Sequence, residues 1–480
     1  MWMRTASDMQ GWLGLQRHSI RLAKPTSFEP ICVSNKAWNR TVVQPVLTPV
    51  DVFTPNDFPR HTYVNRAVSP PLEQQLKQAL ATPKEVISIS GPSKSGKTVL
   101  IEEVVGFDNL ITVSGSEIDS VTSLWDRVLD WMGAPSSETT SDAKASISGI
   151  SSQIGGGGGI PLIAQATASV TTQSSDTGTN SVAATRGRQG LVQVQNEIAG
   201  STFCVLVDDF HYIQTDLQID IGRQIKTASE RGIRIIAASV PHRSDDVVRS
   251  NSELRGRTLN IDTEFWTDGE LEDIARKGFA ALNVNIEEPM IKRLAQNACR
   301  SPQLMQRICL NVCNSLQVKQ TYDIKRYVDE NQIDLPNILA TTSTSADFKT
   351  LVQTMHTGPK IRGQERNKFY FTDGSRGDVY RCILLAIKQD PPLMELPYSI
   401  LMERIRSVCI NDVPVGRSVT EACGQISSFA STDRTVEFDT DADVETFYIS
   451  DPYWLFYLRC SPKLASLAKE LHSLQAISFS

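Results

Sequence analysis

The chain has 480 residues, of which 21% are charged, and its formal net charge of −6 excludes a polycation that binds nucleic acid through its overall charge. Its length predicts about three domains, and it has no run of 18 apolar residues that would predict a transmembrane helix. Because nine cysteines are scattered along it and no long apolar run follows Met1, we expect a cytoplasmic protein without a signal peptide.

The first part of the chain has a mixed composition. Residues 1–50 are punctuated by proline and have no strong hydrophobic period, and we interpret them as an N-terminal arm. Residues 52–59 are predicted to be extended. After the segment Thr62–Arg66, leucines at 72, 76 and 80 have helical spacing and predict a helix.

A glycine- and serine-rich stretch follows. A β-branched run, Val86–Ser90, predicts a strand, residues 91–98 read G-P-S-K-S-G-K-T, and an apolar helix pattern comes next. This is G-x-x-x-x-G-K-[ST] between a strand and a helix. Gly91 and Gly96 tolerate a positive φ, so the backbone N–H groups can surround a phosphate. Lys97 is expected to reach the β- and γ-phosphates, and the Thr98 hydroxyl a Mg²⁺ ion. The predicted nucleotide-binding residues of the loop are Gly91, Pro92, Ser93, Lys94, Ser95, Gly96, Lys97, Thr98 and Val99.

The composition changes abruptly beyond the next predicted strand (109–114) and helix (121–132). Residues 134–190 are rich in Gly, Ser, Thr and Ala and contain five consecutive glycines at 155–159. Such a segment inside a compact domain is either a solvated loop or a functional insertion. Two short runs, 160–164 and 168–172, are compatible with a weak hairpin.

Two carboxylates follow an apolar run. Residues 191–198 predict a short helix, and residues 202–209 read T-F-C-V-L-V-D-D. A continuous apolar run is typical of a buried parallel strand. Such a strand places Asp208 at the carboxyl edge of the sheet, where it can hold Mg²⁺.

The core is predicted to end with a helix (217–229), a strand (231–240) and a further strand (258–261). Ser239 ends the first of these strands, and Arg255-Gly-Arg257 precedes the second. We place the core at 51–265, with 134–190 as its insertion. A capping box at Thr267–Glu270 then begins an all-helical lid over 266–335.

Residues 336–375 are interpreted as a linker, with a basic cluster at Lys360, Arg362, Arg366 and Lys368. Helix patterns at 378–389, 399–409 and 418–431 precede strand-like runs at 435–439 and 446–450. Three helices followed by a hairpin are the order of a winged-helix domain, which we place at 376–480. Its third helix would read DNA, but Arg417 is its main cation and Glu421 opposes it.

This order of motifs resembles the AAA+/STAND P-loop ATPases, nearest to origin-recognition-like and bacterial ATP-binding switch proteins, over about residues 55–460. The resemblance implies an α/β fold in which a parallel P-loop NTPase sheet carries a helical lid and a winged helix. It also implies ATP and Mg²⁺ as ligands. The glycine-rich insertion has no counterpart in the minimal fold.

The resemblance also implies roles for individual residues. Asp209 stands where most AAA+ ATPases have a glutamate that polarises the attacking water, so hydrolysis is expected to be slow. Ser239 corresponds to sensor 1, a role that His242 or Arg243 could share. Arg255 and Arg257 stand at the position of an arginine finger that reaches a neighbour's γ-phosphate. The implied base pocket contains Tyr63, Val64 and Arg66, and the implied sensor 2 residue is Arg307 or, with less favourable placement, Arg300.

Three functions remain open from the sequence. The first is a slowly hydrolysing ATP switch that couples its nucleotide state to oligomerisation. The second is a DNA-acting ATPase of the initiator or transposition-helper type, which the winged helix and the 360–368 cluster would serve. The third is a non-hydrolysing ATP-binding scaffold for an effector protein in a bacterial defence system.

Overall fold

The computed structural model describes residues 46–141, 183–240, 254, 256–360, 365–431, 435–440 and 444–468. All of them belong to one compact unit, Val46–Ser480. The predicted arm, apart from residues 46–50, and the predicted hairpin at 160–172 lie outside the described residues. Within the described part of the chain, no helix is both long and apolar enough to cross a membrane.

A five-stranded parallel sheet is the centre of the fold, and with the P-loop that follows its first strand it confirms the predicted α/β, P-loop NTPase class. The spatial order is β2-β5-β6-β1-β7, so β6 separates the strand before the P-loop from the strand that carries Asp208. The strands are β1 (Val86–Ser90), β2 (Leu110–Ser114), β5 (Cys204–Asp208), β6 (Arg234–Ser239) and β7 (Thr258–Asp262).

Both faces of this sheet are buried. Successive side chains of a strand point to opposite faces. In β5, Val205 and Val207 therefore pack into the core on one face, while Cys204 and Leu206 pack into the core on the other. Burial on both faces explains why the strand reads as a continuous apolar run.

Helices cover the two faces, and the predicted helices of this region are confirmed. They are α2 (Leu72–Ala81), α3 (Lys97–Val105), α4 (Val121–Trp131), α5 (Leu191–Ile198) and α6 (Thr215–Glu230). The prediction of an extended segment over 52–59 is wrong at its start. Pro49–Val52 forms a short helix, α1, because Pro49 suits the first helical position and Asp51 accepts hydrogen bonds from Thr48.

The insertion leaves the core through a β-ladder. Strands β3 (Ser137–Ser141) and β4 (Ala183–Gly187) pair antiparallel. Arg188, next to this ladder, donates hydrogen bonds to Asp130 and to the Ala134 carbonyl. The two ends of the insertion are therefore joined at the surface of the core.

The lid contains the predicted capping box and a feature that the sequence analysis missed. The Thr267 hydroxyl accepts from the Glu270 N–H, and Glu270 accepts from the Thr267 N–H. The helices are α7 (Asp268–Ala281), α8 (Glu288–Asn297) and α9 (Pro302–Ser315). The all-helical prediction is wrong, because β8 (Val284–Ile286) and β9 (Arg326–Val328) form a parallel pair. Three-residue strands are too short for a periodic signal.

The linker prediction for 336–375 is also wrong in its secondary structure. The segment contains most of α10 (Leu335–Ser343), the whole of α11 (Lys349–Thr357) and the strand β10 (Phe369–Tyr370). Val352 and Met355 are fully buried in the same apolar core as the lid. Threonines and serines at 341–345 suggested a loop, whereas Thr342 in the structure donates back to the Ile338 carbonyl within the helix.

The last part of the described chain has the predicted order of helices and strands. The elements are β11 (Arg376–Gly377), α12 (Val379–Lys388), β12 (Glu395–Pro397), α13 (Tyr398–Val408), α14 (Gly416–Phe429), β13 (Val436–Asp439), β14 (Thr446–Ile449) and α15 (Pro452–Cys460). Strand β12, which was not predicted, joins the β13/β14 hairpin in the order β12-β14-β13. The winged-helix assignment and the domain boundaries stay predictions.

Candidate functional site

The P-loop joins β1 to α3, and its two glycines are needed for different reasons. Gly96 has φ +89° with nothing near its missing side chain, so its backbone conformation requires glycine. Lys94 also lies in the left-handed region, at φ 59°. Gly91 does not have a positive φ, contrary to our expectation. A Cβ there would instead meet Thr263 Oγ1 at 1.8 Å, so Gly91 is required by close packing.

Lys97 lies at the start of α3, with 7% of its surface exposed. Its ammonium donates to the carbonyls of Gly91 and Pro92, at 2.9 and 3.0 Å. Burial lowers the pKa of Lys97 from its ordinary 10.5, against the attraction of Asp208 and Asp209. A buried cation with neutral partners gains strongly from an anion, so this ammonium suits a phosphate.

Thr98 and Asp208 meet across the sheet edge. The Thr98 hydroxyl donates to Asp208 Oδ2 at 2.9 Å, and the Asp209 N–H donates to Asp208 Oδ1 at the same distance. A hydroxyl and a carboxylate are the hard oxygen ligands that Mg²⁺ prefers. The geometry therefore fits the predicted metal residues.

Asp209 has an unusual backbone. Its φ is +52°, and Gly115 packs against it so closely that a Cβ at Gly115 would lie 2.3 Å from the Asp209 carbonyl oxygen. Burial raises the pKa of Asp209 above 3.8, and the neighbouring Asp208 raises it further, against Lys97. Gly115 thus supports the turn that directs the second carboxylate.

Ser239 is at the same edge as the P-loop. It pairs in register with Ser90, and its carbonyl accepts from the Gly91 N–H at 3.2 Å. The Ser239 hydroxyl is 2% exposed and has no hydrogen-bond partner among the described residues. His242 and Arg243 lie outside the described residues.

A cavity of about 640 Å³ extends from the P-loop to the lid and to the last described part of the chain, from β13 to α15, which we call the C-terminal segment. Its lining includes the predicted base-pocket residues Tyr63, Val64 and Arg66. The Tyr63 ring stacks on Phe58 with centroids 5.9 Å apart. Its hydroxyl donates to Glu73 at 2.7 Å, and burial raises its pKa.

Arg66 anchors the lid. Its guanidinium forms a buried ion pair with Glu270 at 3.3 Å and donates to the Glu264 and Phe265 carbonyls. Glu270 is the last residue of the lid's capping box, so one carboxylate both caps α7 and binds Arg66. Burial opposes the ionisation of Glu270, but hydrogen bonds from Thr267 and Arg66 hold its pKa below its ordinary 4.5. Arg66 is thus already committed to carboxylate and carbonyl partners.

The lid also contacts the P-loop directly. Trp266 Nε1 donates to the Ser95 carbonyl at 2.8 Å, and the Thr263 hydroxyl lies 3.2 Å from Ser95 Oγ. The Ser301 hydroxyl donates to the Lys94 carbonyl at 3.4 Å. Trp266 and Ser301 therefore bind the backbone of the loop, and Thr263 contacts one of its side chains.

The P-loop is tied to the C-terminal segment as well. The Lys94 ammonium contacts both oxygens of Asp451, at 2.8 and 2.7 Å, and lies 4.6 Å from the centre of the Tyr453 ring. Arg307, the predicted sensor 2 residue, lies close enough to Tyr453 for its charge to oppose the rise that burial causes in the pKa of Tyr453. Arg300 lies over the Phe265 ring at 6.0 Å.

The predicted arginine finger lies away from the chain's own P-loop. Thr258 pairs with Val86, so Arg257 lies at the amino ends of these strands, whereas the P-loop follows the carboxyl end of β1. Arg257 pairs with Glu230, and 53% of its side chain is exposed. Arg255 lies outside the described residues.

Several residues of the site were missed by sequence reasoning. Thr263, Trp266 and Asp451 touch the P-loop from distant positions, and Gly115 supports Asp209. Gly115 follows a predicted strand, which is a weak turn signal. The other three belong to no local motif, because only the tertiary fold brings them to the loop.

Comparison with protein-family profiles and with curated proteins gives no match. Among solved structures, the ORC2 protein of Aeropyrum pernix, in ADPNP–ADP complexes, is 10% identical, with coverage of 89% of this chain and 100% of that chain and a TM-score of 0.46. A Walker-type ATPase of Pyrococcus abyssi is 12% identical, with coverage of 82% and 96% and a TM-score of 0.43. Cdc6p of Pyrobaculum aerophilum is 12% identical, with coverage of 89% and 99% and a TM-score of 0.39. These likenesses concern the fold.

Replacing Gly91 with alanine is expected to destabilise the folded chain by about 1–3 kcal/mol, because the added methyl group overpacks the contact with Thr263. Thermal unfolding without nucleotide measures the loss. Adding Thr263→Ala removes the clashing hydroxyl and is expected to restore part of the stability.

Gly269→Ala is the matched control. It lies in the first turn of α7, and its Cβ would meet nothing within 4 Å. This change is expected to be neutral or slightly stabilising. A G91A chain as stable as G269A would contradict the packing explanation.

Proposed function

We propose that this chain is an ATP-binding, slowly hydrolysing AAA+/STAND-type molecular switch. One observation carries the proposal. The buried Lys97 ammonium and the hydrogen bond between Thr98 and Asp208 lie together at the carboxyl edge of the sheet. Both lie in a cavity whose lining also includes lid and C-terminal residues. A nucleotide bound there contacts the P-loop, the lid and the C-terminal segment.

The chemistry assigned to each residue follows from its surroundings. Lys97 neutralises the β- and γ-phosphates, while Thr98 and Asp208 hold Mg²⁺. Asp209 orients the attacking water, and Ser239 supplies a hydroxyl beside the P-loop. Aspartate is one methylene shorter than glutamate, so its carboxylate reaches less far and turnover is slow.

The switch reading is favoured over the DNA-acting alternative by the partners of two cations. Arg366 of the basic cluster forms an ion pair with Asp378 at 2.9 Å, and Arg417 pairs with Glu421 at 2.8 Å. Arg362 lies outside the described residues. Cations that already have carboxylate partners offer less attraction to DNA phosphates.

The first experiment measures the affinity of the wild-type chain for Mg-ATP and the rate of phosphate release. Lys97→Ala is expected to weaken ATP binding about a hundredfold, because it removes charge-assisted hydrogen bonds in a buried site. Lys349→Ala, at an exposed lysine of α11, is the matched control and should bind like the wild type. Equal affinity in all three chains would refute the proposal.

Measurements on an Asp209 variant distinguish the hydrolysing switch from the non-hydrolysing scaffold. Asp209→Asn is expected to keep ATP affinity and abolish phosphate release. In the wild type, the rate should fall as pH decreases through a raised Asp209 pKa, because the protonated carboxyl has no negative charge and cannot take a proton from the attacking water. ATP binding without any phosphate release from the wild type would favour the scaffold.

The Lys94–Asp451 ion pair is proposed to couple nucleotide binding to the C-terminal segment. Asp451 lines the cavity, and its negative charge competes with phosphate for Lys94. Asp451→Asn keeps the N-cap of α15, in which Oδ1 accepts from the Tyr453 N–H. This variant is expected to bind Mg-ATP about threefold more tightly.

Asp334→Asn is a matched control, since Asp334 caps α10 in the same way. It should leave ATP affinity unchanged. Unchanged or weaker binding by D451N would show that Asp451 does not compete with the nucleotide.

Oligomerisation on ATP binding is the last part of the proposal. Because Arg257 lies at the amino ends of the strands, about 20 Å along β1 from the start of its own P-loop, the phosphate it would contact is that of a neighbouring copy. Arg257→Ala should keep ATP affinity and slow hydrolysis about a hundredfold or more in the assembled state. Arg223→Ala, an exposed arginine of α6, is the control.

Mass photometry with and without Mg-ATP gives the assembly state for the same samples. A chain that stays monomeric with ATP, or an R257A rate equal to that of R223A, would remove the arginine finger from the proposal.

A further inference from the structure

The indole of Trp266 holds one peptide unit of the P-loop. Its Nε1–H donates to the Ser95 carbonyl at 2.8 Å, and the residue is buried, with 8% of its surface exposed. Gly96 is the N-cap of α3, and its own carbonyl accepts from the Leu100 N–H at 2.9 Å, the first hydrogen bond of the helix. The Ser95 carbonyl therefore lies outside the hydrogen-bond pattern of α3, and Trp266 supplies its donor.

This contact also sets the direction of a backbone N–H. The carbonyl of Ser95 and the N–H of Gly96 belong to one planar trans peptide unit, so they point in opposite directions. Gly96 lines the cavity, and its N–H donates to no acceptor among the described residues. Backbone N–H groups in such a loop are the donors that bind an anion. Trp266 therefore orients a donor of the phosphate site without touching that donor.

Glycine makes this orientation depend on Trp266. Rotation of the peptide unit by half a turn changes ψ of Ser95 and φ of Gly96, and glycine adopts positive and negative φ about equally well. Gly96 has φ +89°, and nothing lies within 4 Å of the position of a Cβ, so packing around its Cα does not fix one orientation. The hydrogen bond from Trp266 is the contact that favours the orientation in the structure.

Trp266 is itself held at the junction of the core and the lid. The Arg66 guanidinium lies over the indole ring, 5.2 Å from its centre, and pairs with Glu270 of α7. The same guanidinium donates to the carbonyls of Glu264 and Phe265, directly before the tryptophan. Because α7 begins two residues after Trp266, a displacement of this helix carries the indole with it.

We infer that Trp266 is a positioning residue that makes the phosphate affinity of the P-loop depend on the docking of the lid. With α7 docked, the indole keeps the Gly96 N–H in the orientation in which it donates to phosphate. With α7 displaced, the peptide unit turns and this donor is lost. The inference rests on the proposed function, since it concerns the regulation of the same nucleotide site. Because such coupling is reciprocal, phosphate bound to this N–H also favours the docked lid.

The experiment measures the affinities of the wild-type chain and of Trp266→Phe for Mg-ATP and for Mg-tripolyphosphate, which has the phosphates without the base and the ribose. Phenylalanine keeps an aromatic ring but has no N–H. The variant is expected to bind both ligands about tenfold more weakly, because a charge-assisted hydrogen bond to phosphate loses its preorganised donor.

Trp125→Phe is the matched control. Trp125 is 2% exposed, and its Nε1–H donates to Gln224 of α6 at 3.2 Å, so this change also removes an indole hydrogen bond from a buried tryptophan. Trp125 packs in the core between α4 and α6, outside the described cavity. This variant should bind both ligands like the wild type, and thermal unfolding compares the stabilities of the two variants.

Hydrogen exchange of the α7 backbone amides measures the coupling itself. Saturation of the wild type with Mg-tripolyphosphate is expected to slow this exchange about tenfold, because the bound phosphates favour the docked lid. At saturation of Trp266→Phe the exchange should slow less, since the contact that links the loop to the lid is missing.

The outcomes distinguish this inference from the proposed function. If the wild type binds no Mg-ATP, both fail. If it binds Mg-ATP and folded W266F binds as tightly as W125F, nucleotide binding stands and the role of Trp266 is overturned. A loss for Mg-ATP alone, with tripolyphosphate binding unchanged, also overturns it, because Trp266 would then act on the base or the ribose. If W266F does not fold, unchanged α7 exchange in the saturated wild type overturns the coupling.

Discussion

The hydrogen bond between Thr98 and Asp208 depends on the strand order of the parallel sheet, and so does the rest of the candidate site. The two residues are 110 positions apart. Thr98 lies beyond β1 and Asp208 ends β5, and these strands are not neighbours because β6 lies between them. Only a parallel sheet brings the carboxyl ends of such strands to one edge. The strand order places the N-terminus of α3, Lys97 and the carboxylates of Asp208 and Asp209 at this same edge.

The lid and the C-terminal segment add a second level of organisation. Trp266 and Ser301 bind carbonyls of the P-loop, and Asp451 binds the Lys94 side chain. Movement of the lid or of the C-terminal segment would therefore change the loop's geometry. The lid and the C-terminal segment also share one apolar core, so they pack against each other as well as contacting the loop.

The sequence predicted the parts of the fold whose signals are local. The P-loop spacing, the apolar run before Asp208 and the capping box at Thr267 each depend on neighbouring residues, and the structure contains all three elements. It did not predict β8 and β9, which are too short to show a period, or the helices within 336–375, whose threonines resemble a loop. In the candidate site, Thr263, Trp266 and Asp451 were missed because they contribute through contacts between distant segments. The sequence analysis also gave the wrong reason for glycine at position 91. A side chain is excluded there by the contact with Thr263, and not by the backbone conformation of residue 91.

The ladder between β3 and β4 has a consequence for how the chain can vary in length. Because Ser137–Ser141 pairs with Ala183–Gly187, the ends of the insertion are held together by their own hydrogen bonds. The entropy of closing the loop grows only logarithmically with its length, and the ladder confines that cost to one place on the surface. The core strands before and after it, β2 and β5, also pair directly in the sheet, so their separation does not depend on the length of the chain between residues 141 and 183. The insertion can therefore gain or lose residues in evolution without changing the geometry of the phosphate site.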